Sequence, residues 1–226
     1  MPRNDKIMIM QNVKNIFVGF LVSFIGSIPL GYLNVIGFEI YKSRGLFSTI
    51  HYLLGVVIIE FIVIFSTLHF ANKLNQNSKL LKFIEAFSTV FMFVLAYVFY
   101  SSGNSDDASK TIFSGIDQNF LLTGILYSAL NFIQIPFWLS WNLYLLNGNY
   151  IEVSNTRKYF YVFGTIIGTF LGMLILILSL HYFATNVDFL SNYLVQIIIP
   201  LVFLGLGTFQ AVKFYRKYLS ISNKNI

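Results

Sequence analysis

The 226-residue sequence has no cysteine, which excludes disulfide cross-links, thiol–disulfide relays and thiolate metal sites. Charge is scarce too: Asp, Glu, Lys and Arg make up 11% of the chain, about half the share of an ordinary soluble domain. A soluble surface of this size could not be solvated on so little. Also missing are a glycine-rich phosphate loop, a dinucleotide fingerprint after a strand, HExxH and GxSxG. Nothing here points to catalytic residues, a cofactor or a bound metal, so the chain reads as a non-enzyme. His51, His69 and His181 lie near the ends of apolar runs and share no metal-ligand spacing with acidic residues. The net charge of +6 would suit nucleic acid, but the basic residues are spread between apolar runs rather than gathered in a patch. They read as topology signals and contacts to anionic membrane lipid, not as a nucleic-acid surface.

What is present is apolar. Hydrophobic residues make up 56% of the chain and the mean hydropathy is +0.70. Six runs, 15–40, 46–71, 81–100, 120–146, 159–184 and 193–212, each reach the roughly 20 residues that cross a 30 Å hydrocarbon core as a helix. The expected fold is therefore all-α, a polytopic integral membrane protein with six transmembrane helices. Lys and Arg divide unevenly between the two sides: twelve fall at the N-terminus, second loop, fourth loop and C-terminus, against Lys42, Arg44 and Lys110 in the other loops. The positive-inside rule then places both termini in the cytoplasm. The first run is too long for a signal-peptide core and should be retained. Glu85 opens the third run near Lys82 and reads as an interfacial residue.

A polar stretch over 101–117, SSGNSDDASKTIFSGID, separates two halves that look alike, 15–100 and 118–214. GFLVSFIGSIPLGYLN from Gly19 and GILYSALNFIQIPFWLSWN from Gly124 both set Ser four residues after Gly, then Ile-Pro, then Asn. The second and fifth runs end alike, in LHFAN and LHYFATN. Three crossings per half force the copies into opposite orientations, so the expected architecture is two inverted three-helix repeats, as in many secondary transporters.

Pro29 and Pro136 should each interrupt a helix near mid-membrane and free a backbone carbonyl. Unpaired backbone at that depth is tolerated only inside protein or along a wet cavity, so matched broken helices point to a midplane site. The alternative is a plain kink, satisfied by a hydroxyl such as Ser27. Ser23, Ser27 and Asn34 form one stripe, and Ser128, Asn131, Gln134, Trp138 and Asn142 fall within about a third of a helix circumference. Amides beside an indole can bind a polar solute, or can instead hold helices together at about 0.6–2 kcal/mol each. Glu60, in GVVIIEFIVIF, is the sharpest single residue. A carboxylate at helix centre costs about 2.5–3.5 kcal/mol, so it should carry a proton, pair with an ammonium, or sit as a neutral acid bonded across a helix pair. Gly164, Gly168 and Gly172 form GxxxG steps, a close-packing face.

GFLVSFIGSIPLGYLN, GVVIIEF and SALNFIQIPFW together resemble the lysine-exporter (LysE-type) translocator family, in its Bacteroidetes-like variants, over essentially the whole chain. The resemblance implies a bacterial inner-membrane carrier that exports an amino acid or similar small zwitterion, with a coupling cation and room for a homo-oligomer. Carried over by position, Pro29, Gly31 and Asn34 match the first motif, Glu60 the second, and Asn131, Pro136, Phe137 and Trp138 the third. Leu30 stands where the family has a second proline, and Phe132 where it has a proline after Asn, which leaves the substrate open. The implied binding set is Ser27, Pro29, Gly31, Asn34, Asn131, Gln134, Pro136, Trp138 and Asn142, with Glu60 as the proton or ammonium site. A carrier of metal ions or another small solute, and a non-transporting scaffold subunit, remain as alternatives.

Overall fold

The computed structural model describes residues 3–27, 31–71, 78–103, 119–154, 156–186 and 197–218. Regular structure among them is helical throughout: α1 (Arg3–Ser27), α2 (Tyr32–His69), α3 (Ser78–Gly103), α4 (Phe120–Ala129), α5 (Gln134–Asn147), α6 (Arg157–Asn186) and α7 (Ile199–Tyr218). Three stretches are long and apolar enough to cross a membrane, Ile9–Ser27, Tyr32–His69 and Arg157–Thr185. A fourth crossing results if α4 and α5, bent by 72° at their junction, count as one. Phe17, Phe61, Phe163 and Tyr182 stand on outward faces about half exposed, a surface suited to hydrocarbon rather than water.

The run over 15–40, in which Pro29 predicts an interruption, is broken. α1 begins at Arg3 and ends at Ser27, and helix resumes at Tyr32 with Gly31 as an extended N-cap (φ −99°, ψ 163°). Pro29, Ile28 and Leu30 lie outside the described residues, so the placement of Pro29 is not described. Within α2, Gly45 adopts φ 79°, a conformation that only glycine takes cheaply. There the chain folds back on itself. The Tyr52 hydroxyl donates to the Leu33 carbonyl at 2.9 Å, whereas a straight helix would set these residues about 28 Å apart. Residues 32–44 and 46–69 are thus two limbs of a hairpin with no loop between them.

The run over 120–146, in which Pro136 predicts an interruption, is broken as well, between Ala129 and Gln134. Pro136 is not at the break but in the first turn of α5. Its missing N–H costs nothing there, while in a continuous helix its ring would strike the carbonyl four residues back, that of Phe132. The preceding helix ends at Ala129, about two turns upstream of the proline.

Glycines set the closest helix contacts. A Cβ on Gly164 would strike the Ile16 carbonyl, one on Gly168 the Phe20 carbonyl, and one on Gly172 would lie 2.9 Å from the Phe24 carbonyl, so α1 lies directly on α6. A Cβ on Gly55 would strike the Leu121 carbonyl and one on Gly124 that of Tyr52, so α4 lies directly on the second limb of α2. α3 and α7 pack antiparallel beside this group. Glu85 is 4% exposed and accepts from Lys217 of α7 at 2.7 Å. Its cation is thus Lys217 rather than the nearby Lys82, whose ammonium lies 5.7 Å from the Tyr218 ring centre. A buried carboxylate needs a cation, and the antiparallel helix end supplies one.

Candidate functional site at the crossing of two helix breaks

Each break is closed by the same device. At the first, the Asn34 amide of α2 donates back across the gap to the Ser27 carbonyl at 3.1 Å. At the second, the Gln134 amide of α5 donates back to the Ser128 carbonyl at 2.8 Å. An amide in the first turn of the second half-helix catches a carbonyl that the first half-helix has lost the power to bond. The two serines differ in their own bonds: Ser27 donates to the Ser23 carbonyl of its own helix at 2.7 Å, Ser128 across to the Val56 carbonyl at 3.3 Å.

The breaks also meet. The Tyr32 hydroxyl, just after the first, donates to the Tyr127 carbonyl, just before the second. The Phe137 ring, just after the second, lies so close to Gly26, just before the first, that a Cβ there would come within 2.8 Å of it. Residues on both sides of one interruption therefore touch residues on both sides of the other.

Glu60 sits one turn from this junction on two helices. Its carboxyl lies beside the Thr169 hydroxyl of α6, and Thr169 in turn bonds the Ser23 hydroxyl of α1. Ser23 is one turn before Ser27, and Val56, which accepts from Ser128, is one turn before Glu60. Two acceptor atoms here are buried with no hydrogen-bond partner among the described residues, Glu60 Oε2 and Gln134 Oε1. Each such atom costs about 1–3 kcal/mol until it meets a donor. The junction thus presents acceptors that want an N–H, an O–H or a cation.

The predicted residues sort into distinct places. Ser27, Gly31, Asn34 and Gln134 build the breaks, with Asn131 in the turn of the second, where its N–H bonds the Ser128 carbonyl at 3.0 Å. Pro136 opens α5 beside them. Asn142 lies two turns further along α5, fully buried. It donates to Thr67 Oγ1 at 3.0 Å and to the Ile64 carbonyl at 3.4 Å, and accepts from the Tyr161 hydroxyl at 2.8 Å. Both its N–H groups are spent on joining α2, α5 and α6. Trp138 is 2% exposed in an apolar cluster with Ile64, Leu145 and Tyr161, so of the two neighbouring rings it is Phe137 that reaches the crossing. Sequence reasoning missed Tyr32, Tyr127 and Thr169. Only Thr169 carried a signal: with Thr165 it lies at i, i+4 beside the GxxxG glycines.

No family model, curated protein or solved structure matches this chain.

Proposed function

We propose that this protein is a secondary membrane transporter that exports an amino acid or similar small zwitterion across a bacterial inner membrane, coupled to a cation. Six crossings form two inverted three-helix repeats, 15–100 and 118–214, with both termini in the cytoplasm. The single observation that carries the reading is the meeting of two braced helix breaks beside Glu60. The repeat is supported by an exchange of roles. α1, the first half of one broken crossing, lies on α6 of the other half of the chain, and α4, the first half of the other, lies on α2.

The chemistry follows from the unpartnered acceptors. A substrate ammonium pairs with Glu60 Oε2 and Gln134 Oε1, or Glu60 takes the coupling proton while the substrate bonds the amide. The half-helix starting after Gly31 offers the positive end of its dipole to the substrate carboxylate. Amino acids as the cargo, and membership of a lysine-exporter-like family, come from the sequence resemblance. In cells, overproduction should raise the release of one or a few amino acids into the medium several-fold, and deletion should raise their internal pools. Unchanged extracellular and internal metabolites in both strains would contradict the proposal.

A further inference from the structure

A groove of about 800 Å³ runs between α1, α2 and α6, walled by Ile16, Ile58, Phe61, Ile62, Phe160 and Phe163. Its volume is within the range of sites that enclose a small organic molecule. Ile58, Phe61, Ile62 and Phe163 are 44–59% exposed, so the walls are open to whatever lies beside the helices. The groove has one charged end. A ladder of rings leads there, Phe61 stacked on Phe65 and Phe65 on Tyr159, both at 6.0 Å. The Lys158 ammonium caps the ladder, 5.4 Å from the Phe65 ring centre and 5.3 Å from that of Tyr159.

The same end gathers further positive charge. Asn15 of α1 donates to the carbonyls of Glu152 and Arg157 at 2.7 and 3.0 Å, which ties α1 to the start of α6. Lys14 donates to the Asn149 carbonyl at 3.3 Å, and Arg157 pairs with Glu152. Among the described residues, Lys14, Arg157 and Lys158 thus share one nearby carboxylate, that of Glu152. An apolar trough closed by an unneutralised cation suits a molecule with an anionic head and a hydrocarbon tail.

We propose that this groove binds an anionic phospholipid, one acyl chain against Phe61 and Phe163 and the phosphate on Lys158. Rings beneath the ammonium shield it from hydrocarbon while leaving its N–H groups to the headgroup. The groove's lining shares no residue with the crossing of the helix breaks, and the proposal does not depend on the transport reading.

The test is native mass spectrometry of the full-length protein in neutral detergent with added phosphatidylglycerol or phosphatidylcholine. Wild type should retain phosphatidylglycerol in preference to phosphatidylcholine. Lys158→Gln should weaken that retention about fivefold, as expected for one lysine at an anionic surface. Lys158→Arg should restore it, and Lys82→Gln, at the other helix pair, should leave it unchanged. Equal retention of both lipids, or the same loss in Lys158→Gln and Lys82→Gln, would overturn the site. A second copy in the groove is tested by Phe163→Cys, because the chain has no other cysteine. Disulfide dimers of that variant in native membranes would show the groove covered by protein and overturn the lipid.

Discussion

Glu60→Gln should abolish gradient-driven export while leaving the protein folded. Gln keeps the size of the side chain and its place beside the Thr169 hydroxyl, so the α2–α6 contact survives. What it loses is the negative charge and the capacity to bind a proton. If Glu60 carries the coupling proton, the variant still exchanges substrate for substrate but no longer responds to a proton gradient. If it holds the ammonium, the half-saturating concentration rises at least tenfold, the loss of about 1.4 kcal/mol from a charge-assisted bond. Initial rates in vesicles with and without an imposed gradient separate the two. Wild-type rates and gradient response in Glu60→Gln would remove both roles.

The second large effect is on stability. Gly124→Leu should prevent α4 from seating on α2, because the first atom of any side chain there meets backbone: the Tyr52 carbonyl, and Val56 N at 2.9 Å. Backbone cannot rotate aside as a side chain can, so the cost should exceed the usual 1–3 kcal/mol of overpacking. Losing this contact also removes the Ser128–Val56 bond and with it one wall of the site. Gly205→Leu is the control, since a Cβ there meets nothing within 4 Å and leucine is the better helix former. Thermal unfolding of the purified proteins should show Gly124→Leu far below wild type and Gly205→Leu unchanged. Equal stability of the two variants would contradict the close packing.

Much of this was legible in the sequence because it depends on local chemistry. Apolar length predicts helices, Ile-Pro pairs predict breaks, and a lone Glu60 in an apolar run predicts a buried partner. Asn34 and Gln134 were legible as polar residues near the breaks, although not as braces. What was hidden depends on register between distant segments. Thr169 meets Glu60, and Lys217 meets Glu85, only because particular helix faces oppose one another. Asn142 looked available for a solute because nothing local shows that Thr67 and Tyr161 use its amide. The turn near Gly45 was legible, because the runs 15–40 and 46–71 leave only five residues between them. Lys42 and Arg44 mark a very tight turn, and the detail the sequence withheld is that a single glycine at positive φ does the turning. Pro136 marked its break from inside the first turn of the following helix, where a missing N–H costs nothing.

Counterflow by the purified protein tests the central claim most directly, because it needs no imposed gradient and works on a mixture in which the substrate is one of many. Liposomes carrying the protein are loaded with a concentrated mixture of unlabelled amino acids and diluted into trace labelled ones. A carrier that alternates about the crossed breaks should accumulate at least one label transiently above equilibrium, and Asn34→Ala with Gln134→Ala should reduce that overshoot. Uptake no different from protein-free liposomes, for every amino acid in the mixture, would contradict the account.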